Sequence, residues 1–533
     1  MSNSEILMFL PILIVFASVL ATRINIPPAI LLVTTGVVLA LIPGLPTVVL
    51  APHVVLLFVM PLVIYSSAVA MSWREFRFNL RPITLLAVGC VVFTTIATAA
   101  VSHWVLKFSW AEGFLLGAIV SPPDAVAPLA IAKRLQLPRR LLVVLEGEGL
   151  ANDATALVLY RFAVGAVSAG AFSLPHALGA FAAIAVGEIV WGLTVGFVML
   201  RCRRLVNQPR LEILLSVMTP FIAYWPPEHL GGSGVLATVA AGLYTSWNGL
   251  RLISAATRLQ GIFIGSFVIF VTEGMLFLLT GLQARSLIGG LPDYTAAQLA
   301  LAAAVVSAVV IAARFVWIYP AIYIPRWLSA SLARDDPVPS WQGSFALAFT
   351  GIRGVVSLVA ALAIPLTRED GSAFPHRGLI LFLTFVVIIV TLVGQGLLLP
   401  WVMRALGLAE AGRIESEVAS TQEWATRIDA ARTAAAHVDR AIAGRDVSTQ
   451  WAQRIRALFV TRLRHIEEGA SSAPAVAHGI AERRAIELEL IAVERNRVND
   501  LYRAGKLQDE GRRRIERDLD LREARADALE PDD

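Results

Sequence analysis

Apolar stretches of about 15–30 residues recur along the first three quarters of the chain, separated by short polar breaks. Thirteen can be marked, at 5–22, 28–42, 53–71, 83–107, 111–133, 141–168, 177–200, 211–226, 231–247, 259–284, 296–324, 341–365 and 377–406. A helix rises about 1.5 Å per residue and a bilayer core is about 30 Å thick, so runs of this length suit membrane-spanning helices. The predicted fold class is an all-α polytopic membrane protein with 13 transmembrane helices. The stretch "PPEHLGGSG" divides the eighth span from the ninth. The first run follows Glu5 with no Lys or Arg before it, so it reads as a transmembrane helix and not as a signal peptide.

Charge refines this picture. The loops after odd-numbered segments hold 16 Lys or Arg residues, among them Arg74, Arg77, Arg81, Arg139 and Arg140, against 4 after even-numbered segments. The positive-inside rule then places the N-terminus outside and the C-terminus in the cytoplasm. Beyond about residue 411 both signs of charge crowd together, and "EWATRIDAARTAAAHVDRAI" and "RRAIELELIAVERNRVNDLY" carry apolar residues at helical spacing. The expected division is a membrane domain over 1–410 and a cytoplasmic helical tail over 411–533, with "GASSAPAVAHG" (469–479) as a flexible link. Overall the chain is 56% hydrophobic and 16% charged, outside the range of soluble globular proteins. The net charge of +5 lacks the aromatic–basic interleaving of a nucleic-acid binder, and no nucleic-acid partner is expected. Cys90 and Cys202 read as packing residues, with neither a disulfide nor a metal site implied.

Two spans are interrupted. The fifth reads "EGFLLGAIVSPPDAVAPLAIAKRL", with Pro122 and Pro123 in mid-membrane next to Asp124. A proline pair removes two backbone donors and clashes with the preceding turn, so the helix should open there. The twelfth reads "SFALAFTGIRGVVSLVAALAIP", broken at Gly351, Arg353 and Gly354. An Arg at the bilayer centre costs at least about 2.5–3.5 kcal/mol and needs a partner. Seven spans separate the two, which suits inverted repeats whose broken helices cross near the membrane midplane.

The sixth span, "LLVVLEGEGLANDATALVLY", is rich in acids. Asp153 lies about twelve residues in, roughly 18 Å deep, and Asp124 and Arg353 reach a similar depth. Glu146 lies nearer the cytoplasmic mouth, and Glu273 in the tenth span is a second candidate for the ion path. Glu148 and Asn152 share a helix face, while Asp153 points about 100° away. Glu148 is therefore expected to pair with Arg353, leaving Asp153 to face a cavity. Asp153 and Asp124, with Asn152, Ser121 and freed carbonyls, make an oxygen-rich site suited to Na⁺. Desolvation disfavours a bare charged carboxylate, so such a group holds either a proton or a cation. Glu188 reads as structural or as part of a subunit contact, and Arg161 and Arg314 as paired with acids or carbonyls.

The motifs "AIVSPPDAVAPLAIAKRL", "LEGEGLANDATALVLY" and "GIRGVVSLVAALAIP" resemble, in that order, those of sodium/proton antiporters of the cation–proton antiporter-1 family. The likeness covers 1–406 and suits the long bacterial form with a cytoplasmic helical tail. It implies a multi-pass inner-membrane homodimer, elevator-like alternating access and no cofactor. It also implies that Asp153 is the main carrier of cation and proton, that Asp124 is a further ligand, and that Glu148 and Arg353 form a structural ion pair. The Asn152–Asp153 form is associated with electroneutral exchange. Two hydroxyl positions depart from the pattern, at Pro123 and Gly149, with Ser121 as one possible replacement. A K⁺/H⁺ antiporter of the same fold is the alternative. An intramembrane aspartyl enzyme using Asp124 and Asp153 is a remote one, since no GxGD motif occurs. A channel suits buried titratable ligands less well than an exchanger, and the tail carries no catalytic signature of a sensor.

Overall fold

The computed structural model describes residues 3–43, 51–169, 174–206, 208–288, 291, 294–336, 338–442, 449–469, 474–504 and 506–527. The chain divides into two compact units, Met1–Arg413 and Ile414–Asp533.

Helix occupies every one of the thirteen apolar stretches. In order they are α1 (Asn3–Ile24), α2 (Pro28–Leu41), α3 (Pro52–Ala70), α4 (Leu80–Leu106), the half-helices α5 (Trp110–Val120) and α6 (Val126–Arg134), and α7 (Arg139–Ala169). There follow α8 (Leu174–Val206), α9 (Pro209–His229), α10 (Val235–Leu252), α11 (Ala255–Leu282) and α12 (Ala296–Leu328). The half-helices α13 (Trp341–Phe349) and α14 (Val355–Leu362) and the long α15 (Arg377–Ala405) complete the unit. Among the described residues, seven helices are individually long and apolar enough to cross a membrane, and three shorter apolar ones accompany them. α5, α6, α13 and α14 fall short because each is half of a broken span.

Local chemistry sets the ends. Pro28, Pro52 and Pro209 open their helices, where a missing N–H costs nothing. Ser109 and Thr295 form capping boxes with Glu112 and Gln298. The α9–α10 division falls where "PPEHLGGSG" predicts, through Gly231 and Gly234 at φ +89° and +69°. Glu188 caps the start of α10: its carboxylate accepts the backbone N–H groups of Ser233, Gly234 and Leu236. Its role in this chain is thus structural. Arg161 pairs with Glu228 at 2.6 Å.

Glycine allows a close helix contact. Gly36 on α2 and Gly281 on α11 lie back to back, and a Cβ on Gly281 would meet Gly36 Cα and Val37 N at 2.8 Å. Without a large apolar force between helices in lipid, such small-residue contacts supply the packing. Three spans carry a wide π-helical turn, at Val55–Val59, Leu85–Cys90 and Val390–Gln395. Such turns release a backbone carbonyl or re-aim a side chain. Trp317 on α12 donates to Leu85 O at 3.0 Å in the second, and the third carries Thr391.

The tail unit is helical, as its charge pattern predicts. Its helices are Thr449–Gly469, Pro474–Arg503 and Asp509–Asp527, preceded by Leu408–Ile442, which begins in the first unit. The last two pair through Arg495 with Asp520 and Glu523 and through Arg522 with Glu494, around buried Ile491 and Leu519. Part of the stretch 469–479, expected to be a flexible link, is helical. Residues 474–479 already belong to a helix, and 470–473 lie outside the described residues. A proline at the first helical position starts this helix without a long linker.

The Gly36–Gly281 contact yields a direct test. Gly281→Val should lower the unfolding temperature of detergent-purified protein by several degrees, as overpacking costs about 1–3 kcal/mol or more. Gly265→Val on the same helix, where a Cβ meets nothing within 4 Å, should leave it unchanged or higher. Equal effects at both positions would show that the crossing is not tight.

Candidate functional site

The two broken spans meet at their gaps. The first gap runs over 121–125, between α5 and α6, and the second over 350–354, between α13 and α14. They are joined directly: Asp124 N donates to Ile352 O at 2.7 Å. The prolines at 122 and 123 supply no N–H groups and open the first helix. Asn152, on α7, donates its amide to the carbonyl of Pro123 at 2.6 Å, so the opened backbone is held by the neighbouring span.

Each gap exposes two helix ends. Ends at α5 and α13 present carbonyls with partial negative charge, and starts at α6 and α14 present N–H groups with partial positive charge. Side chains complement all four. Arg353 donates to Val120 O at 2.9 Å, to Ser121 O at 3.3 Å and to Gly351 O, and its own N–H donates to Thr391 Oγ1 at 3.0 Å. Arg314 on α12 donates to Leu347 O in the last turn of α13 at 3.1 Å. Asp124 accepts the Val126 N–H at the start of α6 at 2.9 Å. Its carboxylate also lies against Gly354, at the start of α14, where any Cβ would collide with it.

This corrects one expectation. Glu148 does not pair with Arg353. It forms a two-pronged ion pair with Arg314, at 2.5 and 2.7 Å, with both side chains about 98% or more shielded. The helix-face argument placed Glu148 away from Asp153 and against a cation, but two buried arginines compete for that place. Arg314 projects from a continuous helix toward α7, whereas Arg353 sits inside the gap, where freed carbonyls satisfy its donors. Burying a charge demands compensation, and here carbonyls at the helix ends accept the Arg353 donors.

Asp153 differs from its neighbours. It has no hydrogen bond to the protein among the described residues, and Asp124 is close enough for the two charges to interact. It borders a cavity of about 10 Å³ with Pro122, Tyr160 and Ser357, enough for a water-sized occupant. Ser357 Oγ and Asn152 Oδ1 are buried with no hydrogen-bond partner. Buried polar atoms are rarely left so; Ser357 borders the cavity with Asp153, and Asn152 is the residue next to Asp153 on α7. Ser121 is placed differently from the expectation: its hydroxyl donates to Ala118 O and accepts from Thr95, so it serves helix packing. Glu273 on α11 faces Asp124 and Lys133 electrostatically, and Glu146 lies half-buried among Lys133, Arg139 and Glu75. Among the described residues no cluster of three or more His, Cys, Asp or Glu could hold a resident metal.

Sequence reasoning missed Ser357 and Arg314 as members of this centre. Ser357 is one helical turn beyond Arg353 and so on the face that follows the gap, a signal that was there to be used. Arg314 carried only the weak signal of a charge in an apolar run, with no indication of which acid it meets.

An all-helical chain with two crossed broken helices and an unpartnered carboxylate beside the crossing has the build of a secondary ion transporter. The sodium/hydrogen exchanger family model, for the transmembrane region, matches residues 10–405, and the chain belongs to that family. It is 34% identical to an uncharacterized Na⁺/H⁺ exchanger of Mycobacterium tuberculosis over 98% of this chain and 95% of that one. A sodium, potassium, lithium and rubidium/H⁺ antiporter of Bacillus pumilus is 32% identical, over 74% of this chain and 61% of its own length. The fold is similar to that of a sodium/proton antiporter from Methanocaldococcus jannaschii solved at pH 8, with a TM-score of 0.56 and 19% identity, over 77% of this chain and 100% of that one.

The ion pair is open to a double-mutant cycle. Glu148→Gln or Arg314→Gln alone should destabilise by about 3–5 kcal/mol, because each leaves a buried charge unpaired. The double variant should cost clearly less than the sum. Glu148→Gln with Arg353→Gln should instead be close to additive. Stronger coupling of Glu148 to Arg353 than to Arg314, read from thermal unfolding, would reverse the assignment.

Proposed function

We propose that this chain exchanges cytoplasmic Na⁺ (or Li⁺) for external H⁺, with both ions competing for Asp153. The observation that carries the reading is the Asp153 carboxylate, left without a hydrogen-bond partner beside a small, mostly apolar cavity that Ser357 also borders. In a low-dielectric site a carboxylate needs a counter-charge, and a proton or a cation can supply it, one at a time. Asp124 lends a second carboxylate, held in place by the α6 start and by Gly354. The uncharged Asn152 fixes the gap backbone and offers its free Oδ1. Ser357, with its free hydroxyl on the same cavity, takes the part expected of a hydroxyl near Pro123 or Gly149.

With one exchanging carboxylate, one Na⁺ leaves for each H⁺ that enters, so the exchange is electroneutral. The broken spans carry Asp153 between two faces of the membrane by an elevator movement of one part of a homodimer. Thirteen spans with an outer N-terminus and a cytoplasmic tail follow from the loop charges, and the bacterial inner membrane is the site of action. Glu146 and Glu273 attract cations toward the site from the cytoplasmic side. The product of this exchange is pH and sodium homeostasis, and no enzymatic reaction is assigned. K⁺/H⁺ exchange is the second reading, favoured by the relative from Bacillus pumilus whose name includes potassium.

Everted vesicles test both readings. Energised vesicles should lose their pH gradient on adding Na⁺ or Li⁺, and this response should vanish in Asp153→Ala. A response to K⁺ alone would move the assignment to the second reading, and full activity in Asp153→Ala would remove the carrier. Ser357→Ala should retain exchange but raise the Na⁺ concentration for half-maximal response by about 10-fold, the cost of one lost oxygen ligand. An unchanged half-maximal concentration would take Ser357 out of the site.

A further inference from the structure

Away from the helix crossing lies a second cluster of charge. Asp336, in the segment between α12 and α13, accepts Arg140 at 2.6 Å and Arg326 at 2.8 Å, and Arg81 approaches to 3.6 Å. Arg326 also donates to Ile322 O and Asp336 O, and its side chain is 94% shielded. Three guanidinium groups thus share one carboxylate, a net excess of two positive charges. Asp336 is the one acid among the groups whose charge acts on Arg81. Arg81 Nη1 is buried and has no hydrogen-bond partner.

These groups border a cavity of about 200 Å³. Arg81, Arg140 and Arg326 stand at its polar edge, with Ser340 and Ser344 from the start of α13. The rest is apolar, including Leu85, Leu86, Val144, Ile318 and Leu347. The arginines lie at the ends of α4, α7 and α12 that the loop charges assign to the cytoplasmic side. Arg326 is buried, while Arg81 and Arg140 keep 30% and 39% of their side chains exposed, so the excess positive charge is open to an anion that reaches the cavity edge. Arginine forks match phosphate oxygens in geometry as well as in charge.

We infer that this cavity binds an anionic phosphate ester with an apolar body, its phosphate on Arg81 and Arg140 and its apolar part along α4, α7 and α12. The arginines alone would accept free phosphate. Apolar walls at the level of the headgroups favour a phospholipid of the inner leaflet, and its acidic headgroup matches the excess charge. The occupant ties together the cytoplasmic ends of the helix bearing Asp153, the helix bearing Arg314 and one half of a broken span. Binding therefore stabilises the folded membrane unit.

The test uses the full-length protein, delipidated in detergent, with thermal unfolding and native mass spectrometry as readouts. Phosphatidylglycerol should raise the unfolding temperature by about 3 °C or more and stay bound in the mass spectrum. Phosphatidylcholine, diacylglycerol and inorganic phosphate should each give less than a third of that shift. Arg81→Gln should lose most of the phosphatidylglycerol response, Arg81→Lys should keep part of it, and Arg77→Gln should keep all of it. Equal shifts from phosphatidylcholine and phosphatidylglycerol would overturn the charge recognition, and a full response to inorganic phosphate would overturn the apolar half. An undiminished response in Arg81→Gln would overturn the site. None of these outcomes depends on which cation is transported.

Discussion

Everything at the centre of this protein depends on how two opened helices are tolerated inside a bilayer. Opening a helix frees backbone carbonyls and N–H groups where water is scarce, and each unsatisfied group is costly. Here the four ends are complemented by side chains of opposite charge. Arg353 and Arg314 serve the carbonyl ends, and Asp124 serves the N–H ends. A backbone bond from Asp124 to Ile352 and the Asn152 amide on Pro123 lock the two gaps to each other and to α7.

That arrangement uses up nearly every charge near the crossing. Glu148 neutralises Arg314, Arg353 is absorbed by carbonyls, and Asp124 is committed to helix starts through one of its oxygens. Asp153 on α7 and Glu273 on α11 are left without an ion pair or hydrogen bond among the described residues. On the proposed reading, the lack of a structural partner leaves Asp153 free for an exchangeable ion, and a small cavity lies beside it. The paired Glu148 and the unpartnered Asp153 thus lie on one helix, only five residues apart.

The motif text shows how far one-dimensional reasoning reaches. Pro122, Pro123, Gly351 and Gly354 announced both gaps, because proline and glycine act on their own backbone wherever the chain goes. The rotation of 100° per residue separated Glu148 from Asp153. The same reasoning chose the wrong arginine for Glu148, since two arginines were available and only one could be judged by its distance in span count. Nor does it show that the Ser121 hydroxyl donates to Ala118 O and accepts from Thr95.

By itself the sequence determined the class of protein: an all-helical chain with a charged helical tail, two broken spans and an acid at midplane depth. These properties are local, set by hydrophobic length, proline chemistry and helical period, and need no knowledge of neighbours. Only the tertiary structure decided which arginine meets Glu148, which hydroxyl borders Asp153 and that three arginines converge on Asp336. Those choices join residues far apart in sequence, between 10 and 196 positions in the bonded pairs around Asp336 and 166 for Glu148 with Arg314. Partner choice among buried charges is settled by desolvation and close packing in three dimensions, which no spacing along the chain records.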